Sequence, residues 1–477
     1  MSTPPKTSAR GPAAPGVAKT AKSNAIKATQ AVKATRAVKA RVSKTASATQ
    51  AARARTTSPA AADGVSGEVS SPGSWSGRGP GRGRGIYDRQ RQRGNERWPI
   101  AGRLLSWLFR RPELLLTLLD KQAPIRTDGR VMNRGVQAVL EVMTRLEGVI
   151  GSQEELGLGD PEARRKQMRR FARITMPIRT DVHVVGRLIP GAGGSKPAGE
   201  IPVRIYRRFG TGVGAGVGLG VRPPAIVYYH GGGWVVGDLV SHDSACRLLA
   251  AISRCVVIAV DYRLAPEDPF PAAVDDAVAA YGWVHGHVEE LGIAEGRVGV
   301  MGDSAGGNLA AVVALLTRPG APAPASVMAV PPGVPAPVAQ GLIYPGLSTR
   351  FDSESMRLFG EGFFLTEQSM VAYRGAYLPN REDWELGTVS PLLADDVEGV
   401  APALVVTAGF DPLRDDGDGY ARKLKEAGVE VEYRCYDDQV HGFFNMGFLD
   451  DSLALSVEVC DAMGRLMYRD APGRARG

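Results

Sequence analysis

The stretch from Arg297 to Leu309 constrains this chain more than any other. Gly302-Asp303-Ser304-Ala305-Gly306 lies between an apolar run, Val298 to Met301, and Ala310 to Leu316, which is spaced as a helix. Strand, abrupt turn and helix follow one another with a serine at the apex. Glycines two residues before and two after let neighbouring backbone approach a tightly bent residue, and the hydroxyl is displayed at the head of a helix. The five-residue pattern alone is short enough to arise by chance, so its weight comes from the strand before it and the helix after it.

A serine hydroxyl is a weak nucleophile near neutral pH and needs a base, which in turn needs an orienting group. In sheets of this kind the partners follow in the order Ser, acid, His. The six histidines are at 183, 230, 242, 285, 287 and 441, and five precede Ser304. His441 is therefore the base. Ala403 to Phe410 reads as a buried strand that runs directly into Asp411, with Pro412 closing it. Val429 to Tyr436 alternates like a strand, with His441-Gly442 in the loop behind it. All three groups fall beyond the carboxyl ends of strands, where an open parallel sheet carries its site. Ser304 attacks, His441 moves the proton, and Asp411 holds the imidazole.

A tetrahedral intermediate also requires donors for its oxyanion. Ala225 to Tyr229 leads into His230-Gly231-Gly232-Gly233-Trp234. The N–H groups of Gly232 and Gly233, with that of Ala305, are the expected oxyanion hole, and His230 and Gly231 support the motif. Losing one such donor costs roughly 3–4 kcal/mol of barrier in a protease of known mechanism.

These segments, with Asp261-Tyr-Arg-Leu-Ala-Pro-Glu267, Ser390-Pro-Leu-Leu393, Asp411-Pro-Leu-Arg-Asp-Asp-Gly417 and His441-Gly-Phe443, resemble the hormone-sensitive-lipase-like branch of the α/β-hydrolases over about residues 200 to 468. The resemblance implies an α/β fold: a mostly parallel central sheet with helices on both faces and a helical cap. It also implies hydrolysis of small-molecule carboxylic esters of short to medium acyl length through an acyl-enzyme, with no metal and no cofactor. Asp416 stands where the family more often has Glu, with no expected effect on the chemistry. An amidase or deacetylase would use the same site, and a non-catalytic small-molecule receptor is a third reading, against which the intact His441 counts.

Charge divides the chain. Residues 1–100 hold 19 Lys and Arg against 4 Asp and Glu, a net of +15; the rest of the 58 basic and 50 acidic residues, 39 against 46, give −7. Residues 1–96 read as a disordered basic tail rich in Ala, Gly and Ser, with few large apolar side chains to bury. This tail is a candidate for weak contact with a polyanion, either nucleic acid or an acidic membrane. An acid-poor Arg/Ser/Ala segment also resembles an organelle-targeting peptide, against which Pro4, Pro5, Pro12 and Pro15 argue. No apolar core of a secretory signal follows the amino terminus, and a cytoplasmic location is the expectation. Residues 97–180 read as a helical segment that contributes to the cap, and 181–477 as the catalytic domain, with a second cap segment over about 351–380. Trp98 to Asp120 is the most apolar part before that domain, but Arg110, Arg111 and Pro112 break it well short of a membrane span.

The remaining signals read as structural. Gly210 to Gly220 contains G-x-G patterns, but a strand and not a helix follows, so it reads as a loop and not as a dinucleotide site. Asp261 and Glu267 precede Ser304 and are expected to pair with Arg263, while Asp275 and Asp276 suit the amino end of a helix. Cys246, Cys255, Cys435 and Cys460 lack metal-site spacing and read as free thiols. Oligomeric state has no signature in the sequence.

Overall fold

Five runs of the chain are buried along their whole length, as strands covered on both faces require. In a computed structural model they form the middle of one eight-stranded sheet. The structure describes residues 96–97, 100–150, 160–176, 178–192, 199–210, 222–322 and 326–469. The basic tail, most of the Gly-rich stretch after Gly210, and the polyanion contact expected of the tail lie outside the described residues. The strands are β1 (Val182–Pro190), β2 (Glu200–Arg208), β3 (Ala225–Tyr229), β4 (Val256–Val260), β5 (Val298–Asp303), β6 (Gln340–Ile343), β7 (Ala403–Phe410) and β8 (Val431–Val440). Their order across the sheet is β1-β2-β4-β3-β5-β6-β7-β8. Only β2 runs against the others: its pairings with β1 and β4 are antiparallel and every other pairing is parallel.

The helices are α1 (Ile100–Phe109), α2 (Pro112–Leu118), α3 (Arg134–Ile150), α4 (Pro161–Thr175), α5 (Asp243–Ser253), α6 (Ala272–Gly286), α7 (Ala305–Leu316), α8 (Glu354–Phe359), α9 (Glu367–Tyr377), α10 (Arg414–Glu426) and α11 (Asp450–Met467), with one further turn at Val288–Leu291. One face of the sheet is covered by α6, α7 and α10 through Val278, Val313 and Leu424, and the other by α5 and α11 through Leu249 and Met463. A third cluster joins the amino-terminal helices to the sheet. Phe109, Leu116, Val136 and Val139 pack with Phe359, Phe410, Val440 and Phe448. Phe410 and Val440 are the last residues of β7 and β8, so this cluster braces the ends from which Asp411 and His441 project.

Two details differ from the sequence reading. First, β8 continues to Val440, so His441 follows the strand at once and does not sit in a longer loop. The pairing with β7 slips between Ala408 and Phe410. Gly409 makes room for that bulge, since a Cβ there would lie 2.2 Å from the Asp437 carbonyl oxygen. Second, Arg263 pairs with neither Asp261 nor Glu267. Its Nε and Nη2 donate to Asp276 at 3.0 and 2.9 Å, and its backbone N–H donates to the same carboxylate at 2.9 Å. Asp276, near the amino end of α6, is thus also the buried counter-ion of Arg263, whose Nη2 donates to the carbonyl of Ala272 at the start of the same helix at 3.3 Å. Glu267 instead receives both terminal nitrogens of Arg165.

Candidate active site

β5 ends at Asp303 and α7 begins at Ala305, leaving one residue to turn the chain. Ser304 takes φ 55° and ψ −119°, a strained conformation for a side chain with a Cβ. The turn is this tight only because its flanks are bare. A Cβ on Gly302 would lie 2.2 Å from the Gly306 carbonyl oxygen, and one on Gly306 would lie 2.0 Å from that of Tyr229. Both glycines of the pattern are steric requirements of the elbow.

Ser304, Asp411 and His441 come together in space. Ser304 Oγ lies 3.0 Å from His441 Nε2, and His441 Nδ1 lies 2.8 Å from Asp411 Oδ2. A carboxylate can only accept, so Nδ1 carries the proton and Nε2 is left to receive one from the hydroxyl. Asp411 is fully buried, and its other oxygen accepts the Leu413 N–H at 2.8 Å. The Tyr344 ring packs at 4.6 Å from the His441 ring and limits its tilt.

The glycine loop after β3 faces the same point. Gly232 and Gly233 have φ of 126° and 60°, and a Cβ on Gly233 would strike the Tyr373 ring at 2.4 Å. The Gly231 N–H is already committed, donating to Asp303 Oδ1 at 2.9 Å. Those of Gly232 and Gly233 have no acceptor among the described residues, and the Ala305 N–H, first in α7, has none within its helix. His230 stabilises the loop from behind, with Nδ1 2.9 Å from the Gly231 carbonyl oxygen and its own carbonyl accepting from Tyr262 at 2.7 Å. Burial, reinforced by neighbouring His242, pushes the His230 imidazole down to about 3, so it is neutral and donates from Nδ1.

Asp303, beside Ser304, ties these pieces together. Its carboxylate accepts from Tyr228 at 2.7 Å, from the Gly231 N–H and from Asn445 Nδ2 at 3.2 Å, with His242 Nε2 3.5 Å away. Burial alone would raise its pKa, but His242 and the Tyr228 hydroxyl outweigh it and hold the group at about 2. Asn445, Tyr228 and Asn308 are supports that the sequence did not single out. Asn308 donates to the carbonyls of Gly346 and Val389 at 2.9 and 2.8 Å, fixing the loop after β6. Each stands two residues from a recognised motif, but nothing in the sequence says which way its amide or hydroxyl turns.

Ser304 and His441 open into a cavity of about 510 Å³. Met168 and Phe171 of α4 and Met370 and Tyr373 of α9 are among its walls, so two segments far apart in sequence enclose it.

Residues 226–445 match the family described as alpha/beta hydrolase fold. A carboxylic ester hydrolase of Mycobacterium tuberculosis, LipN, is 40% identical over 354 residues, 73% of this chain and 85% of that protein. The chain belongs to the α/β-hydrolase fold family. Solved structures agree with that membership. An ester hydrolase from the Lake Arreo metagenome, complexed with a bipyridine phosphonate derivative, superposes with this α/β-hydrolase at a TM-score of 0.61, at 37% identity over 70% of this chain and 98% of its own. A thermostable esterase from Pseudomonas putida gives 0.61 at 31% identity, over 72% and 98%. The sheet order and the elbow of this α/β-hydrolase are those described above, with helices on both faces as the sequence led one to expect.

Proposed function

We propose that this ester hydrolase acts as a serine esterase in which Ser304, His441 and Asp411 form the triad. The observation that carries the proposal is the unbroken line of contacts from Ser304 Oγ through His441 to buried Asp411, with Ser304 and His441 lining the cavity. Ser304 Oγ attacks the ester carbonyl carbon as His441 Nε2 takes its proton. The C–O double bond opens to an oxyanion that Gly232, Gly233 and Ala305 N–H groups stabilise. His441 then gives the proton to the departing alkoxide, and an acyl-serine remains. Water, deprotonated by the same nitrogen, attacks the acyl carbon, and the bond to Oγ breaks as the proton returns to Ser304. Asp411 accepts from His441 Nδ1 throughout and stabilises the imidazolium. Residues 97–180 and 351–380 form a two-part cap in this proposal, supported by the walls that α4 and α9 contribute. A cavity of about 510 Å³ lined by Met168, Phe171 and Met370 suits short to medium acyl chains.

Hydrolysis of p-nitrophenyl esters across acyl lengths tests the assignment. Ser304→Ala should lower kcat by about 10⁴-fold or more with KM little changed. A variant that folds and retains more than a hundredth of the parent rate removes Ser304 from its role.

A further inference from the structure

Helices α1 and α2 bury one face and display the other. On α1, Ile100, Leu104, Trp107 and Leu108 stand at i, i+4, i+7 and i+8 and are between 38% and 85% exposed, while Ser106 and Phe109 turn inward. On α2, Leu114 and Leu118 are more than half exposed above buried Leu115 and Leu116. Single exposed leucines need no explanation, but six large apolar residues on two consecutive short helices mark an interaction surface. Exposed Arg103 borders the α1 stripe, as does Arg110, which also reaches Asp450. The Arg111 guanidinium lies 4.5 Å over the Trp107 ring. Apolar side chains bordered by arginines and an indole are the composition of a helix that lies in a lipid headgroup region. No described helix is long and apolar enough to cross a membrane.

Charge decides the occupant. The net +15 of residues 1–100 leads directly into α1, whereas residues 101–477 carry −7. Attraction to an anionic surface therefore belongs to the chain that precedes the apolar stripe in sequence. Residues 1–95 contain no Leu and no Phe, so the preceding chain has little with which to cover the stripe itself. A second copy would set the same arginines against each other.

We propose that α1 and α2 form a peripheral docking surface for an anionic lipid bilayer, the apolar stripe entering the interface while the basic amino-terminal residues supply long-range attraction. The proposal is independent of the esterase assignment, and its test reads binding and not turnover. The full chain is floated with vesicles of phosphatidylcholine alone or with phosphatidylglycerol added. Binding should appear with the anionic vesicles and weaken in high salt. Leu104→Ser/Trp107→Ser/Leu118→Ser should lose roughly tenfold or more in partitioning at an unchanged melting temperature. Arg103→Glu/Arg111→Glu, which leaves the leucines in place, should weaken anionic binding as well. A parent that does not float overturns the proposal, as does a triple variant that floats like the parent, because the tail would then act alone. Binding to duplex DNA without binding to vesicles assigns the charge to nucleic acid and equally overturns it. A dimer that the triple substitution splits, with no vesicle binding, gives the face to a second copy and does the same.

Discussion

Asp303 is next to Ser304 yet its carboxylate serves the glycine loop after β3, through the Gly231 N–H, and the loop behind His441, through Asn445. Asparagine at this position would set a donor against one of these donors. Asp303→Asn should therefore lower kcat on a short ester by about 10- to 100-fold, the cost of one unsatisfied buried donor, with a smaller effect on KM; steady-state kinetics beside a melting curve separate this from unfolding. Asp416 is the opposite case. Its carboxylate accepts the Leu347 and Ser348 N–H groups, yet burial, with Asp411 and Asp415 nearby, raises it from 3.8 to about 7. The folded protein thus holds a proton that the unfolded chain releases at lower pH. Stability from this group is full below about pH 4 and is lost as pH rises through about 7. Asp416→Asn keeps an accepting oxygen and removes the titration. Its unfolding free energy should fall less than the parent's between pH 5 and pH 8, by on the order of 2 kcal/mol, in denaturant titrations at the two values.

At the scale of elements, α4 is held to the body of the protein through its arginines, Arg165 above all. Arg165 donates through Nε to the Val235 carbonyl at 2.9 Å, through Nη2 to that of Ala265 at 3.0 Å, and through both terminal nitrogens to Glu267. Val235 lies two residues past Gly233, so the helix that walls the cavity is tied to the stretch of chain that carries the proposed oxyanion donors. Arg169 adds a second tie, to Asp238. Arg165→Ala should reduce kcat/KM by about tenfold. Arg165→Lys should do little better, because an ammonium cannot serve the two carbonyls and the carboxylate together. Equal kinetics for parent and lysine variant would reduce the contact to a simple charge pair. The basic character of this helix is plain in the sequence, but its partners lie 70 to 102 residues away, and no local pattern announces them.

Across the whole molecule, what was legible was what local physics dictates. The all-buried strands read as apolar runs, the elbow reads from two glycines around Ser304, and His441, the one histidine after Ser304 in the sequence, is the one that meets its hydroxyl. What was not legible depends on where distant pieces meet. Asp276, not its neighbours Asp261 or Glu267, neutralises Arg263 because of the direction in which α6 returns. The cavity walls from α4 and α9 are fixed by packing and not by either segment alone. Ser304, Asp411 and His441 each follow the last residue of a parallel strand, so their separations are set by the hydrogen-bonded ladder of β5 to β8 and not by flexible connections. The cavity walls, by contrast, are separate helices held by side-chain contacts. On warming, turnover of a very short ester should persist until the far-ultraviolet circular dichroism of the sheet collapses, while discrimination between acyl lengths drifts at lower temperature. Loss of short-ester turnover well before the sheet melts would mean that the ladder does not govern the reacting geometry.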